Sequence, residues 1–213
     1  MLNGVDITRW PTYRRARAGV SRSFQSLELF EGVSVRENLL TASEERDFAA
    51  YATNLVRPGK RSYAAAAIAA IREFGLEPDL DLMPSELPYG RRRLVAIARA
   101  VASEPSVLLL DEPAAGLDET EAVEFAHLIR RLADAWGLAI LVIEHDMKLV
   151  MSICDEITVI DFGSQIAHGT PDEIRHNPTV IAAYLGEPED EADVVDAQDG
   201  RPAGEVHAAE AGA

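Results

Sequence analysis

"VLLLDEPAAGLDETE", residues 107–121, decides how this chain is read. Four apolar residues run straight into two adjacent carboxylates, Asp111 and Glu112. The run has no polar alternation, which predicts a strand buried on both faces, as in a parallel sheet. A turn of small residues follows. Asp118 and Glu121 then make an acidic version of the capping box, opening a helix that reaches about Trp136. In open α/β sheets ligands bind beyond the carboxyl ends of strands. Carboxylates placed there suit a metal or a water beside a phosphate.

The downstream flank repeats the pattern. Gly137 stops the helix, and "LAILVI" (138–143) predicts a second fully buried strand, ending in "EHD" with His145. Asp146 caps a helix to about Ile153. "EITVI" and "SQIAHG" pair as strands around Phe162-Gly163, and Thr170-Pro171 opens a closing helix. Upstream, Asn3-Gly4 marks a turn between the remnants of a strand pair. Pro11 fits the first position of a short helix that Gly19 stops. "GVSRSF" (19–24) predicts a short strand with Gln25 at its end. Ser34 and Glu37 form a capping box. Helices are expected near 35–42, over about 62–74 and over about 91–102, with a proline-punctuated loop before the last. Residues 35–103 show no clear strand. The whole reads as α/β with a mostly parallel sheet and a helical insert.

Composition bounds the function. The 213 residues are 47% hydrophobic, enough for a real core in one domain of ordinary size. Net charge is −16, half of it in residues 187–213, where nine acids face one base. This tail is poor in large apolar residues and is expected to be disordered and solvated. An acidic body argues against nucleic acid, which needs a basic face. The run Arg91–Arg93 with Arg99 predicts a partly solvated, ion-paired helix face. The single cysteine, Cys154, excludes an internal disulfide and is expected in the core. No apolar run approaches the roughly 20 residues needed to span a bilayer. The chain is expected to be soluble, with any membrane role acting through a partner.

At the strand ends, Asp111 is placed to hold Mg²⁺, directly or through water. Glu112 could polarise an attacking water. His145 could hydrogen-bond a transferring phosphate, and Gln25 could bind the metal or position that water. Each is weak alone; order and spacing together are not.

These segments resemble an ATP-binding-cassette (ABC) transporter ATPase, within that family the subunits that drive branched-chain amino-acid uptake. The resemblance spans about residues 2–186. "RSFQSLELFEGVSVRENLL" resembles the Q-loop region, with Gln25 as its glutamine. "LPYGRRRLVAIARA" (87–100) resembles the signature motif, "VLLLDEP" Walker B and "AAGLD" (114–118) the D-loop. "ILVIEHDMKLVMSICDEITVID" resembles the switch-histidine segment, and "GTPDEIRHNPTVIAAYLGE" this branch's C-terminal end. The resemblance implies a P-loop NTPase-like cassette over 1–186, with a helical subdomain at 35–103. It implies ATP and Mg²⁺ as ligands, with Asp111 and Gln25 on the metal and Glu112, His145 and Gln25 catalytic. Leu87, Pro88, Tyr89, Gly90, Arg91 and Asp118 would face nucleotide or partner. Two cassettes would sandwich ATP head to tail, the signature turn of one meeting the γ-phosphate held by the other. A membrane permease, and through it an extracytoplasmic solute-binding protein, would complete the assembly, placing the chain in the cytoplasm on the inner face of the membrane. Pro88 departs from the frequent Ser, and Arg91 from the usual Gln, adding charge near a phosphate.

A larger departure is the phosphate loop. G-x-x-x-x-G-K-[ST] occurs at neither lysine: Lys148 has no glycine near, and Lys60 has Asn54 and Arg61 at the other required positions. In the family this loop lies upstream of the segment that "LNGVDITRW" resembles. The expectation is therefore an N-terminally truncated cassette, with hydrolysis by this chain alone near nothing and the isolated chain marginally stable. Two alternatives stand beside the importer subunit: a non-hydrolytic regulatory or dimerisation module, and a soluble ABC-type ATPase. The solute follows from resemblance alone, so urea, short amides and other amino acids stay open.

Overall fold

The computed structural model describes residues 1–23, 27–43 and 65–185. The expectations for Gln25, for 44–64 and for the acidic tail lie outside these residues. Two compact units divide the chain, Met1–Glu156 and Ile157–Ala213.

The first unit starts with a tight turn closed by the Leu2–Val5 bridge, with Asn3 and Gly4 at positive φ. Helix α1, Thr12–Arg17, follows; Pro11 is its N-cap residue rather than its first helical one. Gly19, at φ 98, then passes close to Ser106. A Cβ there would lie 3.1 Å from the Ser106 nitrogen, so the entry into the sheet needs glycine on both counts.

Three parallel strands follow in the order β1 (Val20–Ser23), β2 (Val107–Asp111), β3 (Ala139–Ile143). Val20 to Ser23 pair with Val107 to Leu110, and Val107 to Asp111 with Ala139 to Ile143. Between β1 and β2 come α2 (Val35–Ser43), α3 (Ala65–Glu73) and α4 (Tyr89–Val101), with single 3₁₀ turns at Glu77–Asp79 and Pro84–Glu86. No strand occurs among the described residues of 35–103. The Ser34–Glu37 capping box forms, Glu37 Oε2 accepting from the Ser34 nitrogen at 2.9 Å. Asn38, fully buried, accepts from the Phe30 nitrogen and donates to the Phe30, Val33 and Ser34 carbonyls, so it locks residues 30–34 onto α2. Helix α5, Glu119–Asp134, lies between β2 and β3, and α6, Met147–Ile153, follows β3.

The core gathers Val95, Ile97 and Val101 of α4, Phe125, Leu128 and Leu132 of α5, and Leu149 and Ile153 of α6 against Leu108 and Leu110. Burial at about 1.5–3 kcal/mol for each large side chain is what holds these helices to the sheet. All of this packing falls on one sheet face. Leu141 and Ile143 on the other face are each 58% exposed. The expectation that both strands are buried on both faces is therefore corrected: β2 buries Leu108 and Leu110 while Val107 and Leu109 are only half-buried, and β3 alternates. An unbroken apolar run carries no period that would reveal an open face.

In the second unit β4 (Ile157–Asp161) and β5 (Ser164–Gly169) pair antiparallel. Phe162 and Gly163, at φ 44 and 79, supply the left-handed pair that a two-residue hairpin turn requires. Helices α7 (Pro171–Arg175) and α8 (Pro178–Val180) follow, then a π turn over Ile181–Leu185. Thr170 and Glu173 cap α7 reciprocally, and these bonds hold the Glu173 carboxyl below the usual carboxylate range. No helix among the described residues is long and apolar enough to cross a membrane.

Candidate functional site

Strand β2 ends at Asp111, on the same open face as Arg22, Leu109, Leu141 and Ile143 by the parallel register. Arg22 reaches along the ladder and donates from Nη2 to Asp111 Oδ2 at 2.9 Å. One residue on, the chain leaves the strand plane: Glu112 sits at φ 44, a left-handed conformation uncommon for a non-glycine residue. Three contacts hold it there. Its N–H donates to the Ile143 carbonyl at 2.9 Å, its carbonyl accepts from Arg93 Nη1 at 2.8 Å, and the same carbonyl accepts from the Ala115 nitrogen at 3.2 Å. Backbone strain of this kind, over-determined by its surroundings, concentrates at functional turns.

His145 projects from the end of β3 toward Glu112. Its Nδ1 lies 3.9 Å from Glu112 Oε1 and 3.8 Å from Glu144 Oε2, and its side chain is 74% exposed. Glu144 is the reverse, with a side chain only 2% exposed. It accepts from the Ala114 nitrogen at 2.9 Å and from the His145 nitrogen at 3.1 Å. One buried carboxylate thus ties the turn after Glu112 to the turn that carries His145.

The start of α4 packs against the same turn. Leu87 is buried, Pro88 is the N-cap residue, and Tyr89 is half-exposed. The Tyr89 hydroxyl accepts from Arg93 Nη2 at 2.7 Å, and the guanidinium carbon of Arg93 lies 5.1 Å from the ring centre. A Cβ on Gly116 would touch Tyr89 Cε1 at 3.4 Å, and one on Gly90 would meet Glu121 Oε1 at 3.0 Å. Close approach, rather than flexibility, explains glycine at 90. Asp118 caps α5: its Oδ1 accepts from the Glu121 nitrogen at 2.8 Å, and Glu121 Oε2 accepts from the Asp118 nitrogen at 3.1 Å.

Two groups of the residues singled out from sequence therefore form, Asp111 with Glu112 and His145, and Leu87–Gly90 with Asp118. Arg93 joins them through the Glu112 carbonyl. Gln25 lies outside the described residues. Arg91 turns its guanidinium to Asp79 and the Gly75 carbonyl, so its charge is committed within the chain rather than added near a phosphate. The four-arginine face also needs correction. Arg91 and Arg92 pair with Asp79 and Glu31, but Arg93 is 4% exposed and serves the turn inside.

Arg22, Arg93 and Glu144 were the residues sequence reasoning missed. Arg22 carried no local signal, because the register that sets it beside Asp111 pairs strands far apart in sequence. None existed for Glu144, because an acid beside a histidine at a strand end reads as solvent-exposed.

No group of three or more His, Cys, Asp or Glu among the described residues could hold a metal ion. The fit for Mg²⁺ is narrower. Mg²⁺ is usually held by one or two carboxylates with substrate phosphates and water, and Asp111 at the mouth of the sheet suits that role in the company of a phosphate.

The family model described as "ABC transporter" matches residues 1–115, and one described as "Branched-chain amino acid ATP-binding cassette transporter" matches residues 164–190. The chain is 41% identical over 191 residues to the high-affinity branched-chain amino acid transport ATP-binding protein BraF of Pseudomonas aeruginosa, covering 87% of this chain and 75% of BraF. It is 43% identical over 192 residues to the protein of the same description, LivG, of Escherichia coli K12, covering 88% and 75%. Among solved structures, an ATP-binding cassette of an ABC transporter in its ADP conformation superposes with a TM-score of 0.69 at 27% identity, covering 86% of this chain and 74% of that one.

Proposed function

The chain belongs to the ABC transporter family, whose ATPases couple ATP hydrolysis to transport, and on that premise we propose that it is the ATP-binding subunit of an importer of branched-chain amino acids. The observation that carries the site is the grouping of Asp111, Glu112 and His145 at the carboxyl ends of adjacent parallel strands. The solute rests on the match at residues 164–190 and on the likeness to BraF and LivG.

In this reading Asp111 would hold Mg²⁺, which would supply charge for the ATP phosphates; Glu112 would orient and deprotonate the attacking water, and His145 would donate to the γ-phosphate. Gln25 would serve the metal or the water. The turn at Pro88–Gly90 offers the unpaired N–H groups of a 13-residue helix to the phosphate held by a second cassette. Asp118 and the packed 114–118 turn lie beside it, and Arg93 links the Tyr89 turn to the Glu112 carbonyl. The helical segment 35–103 would meet the permease, which brings the chain to the inner face of the membrane, and a solute-binding protein would supply the amino acid from outside.

A specific observation favours a second reading. That reading is a regulatory or dimerisation module derived from an ABC cassette, and it rests on the 213 residues holding no G-x-x-x-x-G-K-[ST] of their own. Titration calorimetry of Mg-ATP separates the two: binding by the chain within its assembled transporter is expected of the ATP-binding subunit, and binding absent there as well as in the isolated chain would favour the module. The importer reading is tested in proteoliposomes holding the chain, its permease and its solute-binding protein. ATP-driven uptake of labelled leucine, isoleucine or valine is expected. Uptake of urea or short amides in their place would reassign the solute.

A further inference from the structure

In an acidic chain, the first 23 residues stand out. They hold Arg9, Arg14, Arg15, Arg17 and Arg22 against Asp6 alone, a local charge of +4 in a chain of −16, so the remainder carries −20. Helix α1 has no buried residue. Tyr13, Arg14 and Arg17 lie on α1, and Trp10 precedes its Pro11 N-cap. The guanidinium carbon of Arg14 lies 4.1 Å from the Trp10 ring centre, and that of Arg17 lies 5.9 Å from the Tyr13 ring centre. Arg15 points elsewhere and staples the preceding loop through the Ile7 and Thr8 carbonyls. Asp6 is occupied by the Thr8 nitrogen. Among the described residues no carboxylate pairs with Arg9, Arg14 or Arg17.

We propose that this stripe is a docking surface for an anionic lipid bilayer, with Arg9, Arg14 and Arg17 on headgroup phosphates and Trp10 and Tyr13 in the interfacial layer. The exposed Tyr13 ring and the half-buried Trp10 ring, each beside a cation, suit that interface, where one end of each side chain is apolar and the other wet. Charge complementarity decides the occupant. A body carrying −20 is repelled by an anionic surface, so the stripe is the part of the described chain that can approach it, and the contact fixes an orientation. The proposal rests on the transporter reading only for bringing the chain to a membrane.

Flotation of the full chain with vesicles tests it without ATP or permease, so its failure leaves the transporter reading intact. Binding is expected to vesicles of equal parts phosphatidylcholine and phosphatidylglycerol and not to phosphatidylcholine alone. It should vanish at about 1 M salt, where the Debye length is about 3 Å. Joint Arg14→Glu and Arg17→Glu should reduce partitioning at least about 25-fold, at about fivefold for each arginine lost. Arg14→Lys with Arg17→Lys should keep it. These side chains are exposed, so the thermal midpoint should not move. Equal binding to neutral vesicles, or wild-type binding by the charge-reversed variant, overturns the proposal. So does binding that appears only after residues 187–213 are removed, which would assign the stripe to the acidic tail.

Discussion

Arg22 and Asp111 meet across the parallel β1–β2 ladder at 2.9 Å, on the sheet face that carries no helix packing among the described residues. The carboxylate best placed for Mg²⁺ is therefore held by an arginine. The pair is partly exposed, 50% and 30%, so it contributes at most about 1 kcal/mol. Arg22→Met should lower the Mg²⁺ concentration at half-saturation of nucleotide binding by up to about fivefold, as that energy allows. Magnesium titrations of nucleotide affinity on the assembled complex check this. An unchanged midpoint would mean that Arg22 does not compete with the metal.

Arg93 holds two acceptors from a buried position, the Glu112 carbonyl and the Tyr89 hydroxyl. Bonds from a charged donor contribute about 1.5–3 kcal/mol each. Arg93→Met should cost about 3–5 kcal/mol and lower the Tm by about 6–20 °C. It should also slow hydrolysis in the assembled transporter, because Glu112 loses the contact that keeps it in its left-handed turn. Calorimetric melting and steady-state turnover read the two effects separately.

Leu141 and Ile143 form an exposed apolar row on β3, which is an edge strand of the described sheet. Open edges with apolar side chains template association. Joint Leu141→Thr and Ile143→Thr keeps strand propensity and should suppress concentration-dependent light scattering, with stability changed by no more than about 0.5 kcal/mol per site. Scattering that persists would place the sticky surface elsewhere.

Much of this architecture was legible because it is written locally. The capping boxes at Ser34 and Asp118, the helix start at Thr170-Pro171, the stop at Gly137 and the hairpin turn at Phe162-Gly163 depend on residues within a few positions of one another, and each forms as read. Family membership was legible for a different reason, the order of several motifs along the chain. What stayed hidden depends on residues far apart in sequence. The Arg22–Asp111 pair spans 89 positions, and the bond of Glu144 to the Ala114 nitrogen spans 30. The open face of β3 was invisible because "LAILVI" is equally apolar toward both sides.

Cys154 is half-buried, and burial, with Asp155 adding to it, pushes its thiol above the ordinary range while Arg130 opposes the shift. Alkylation near neutral pH should be slower in the folded chain than in the denatured one, since the thiolate is the reactive form. The sign of the linkage follows. The contribution to stability is complete below the ordinary thiol pKa and is lost as pH rises through the raised folded value. Iodoacetamide rates across pH, folded against denatured, check both statements. Faster labelling of the folded chain near neutrality would contradict them.

The water-activating role of Glu112 is the centre of the account. Glu112→Gln leaves the backbone bonds that fix the turn and removes only the base. In proteoliposomes holding the complete transporter, solute-stimulated ATP hydrolysis should fall about 10²–10⁴-fold while Mg-ATP binding is retained. Hydrolysis at the unaltered rate by Glu112→Gln would contradict the account.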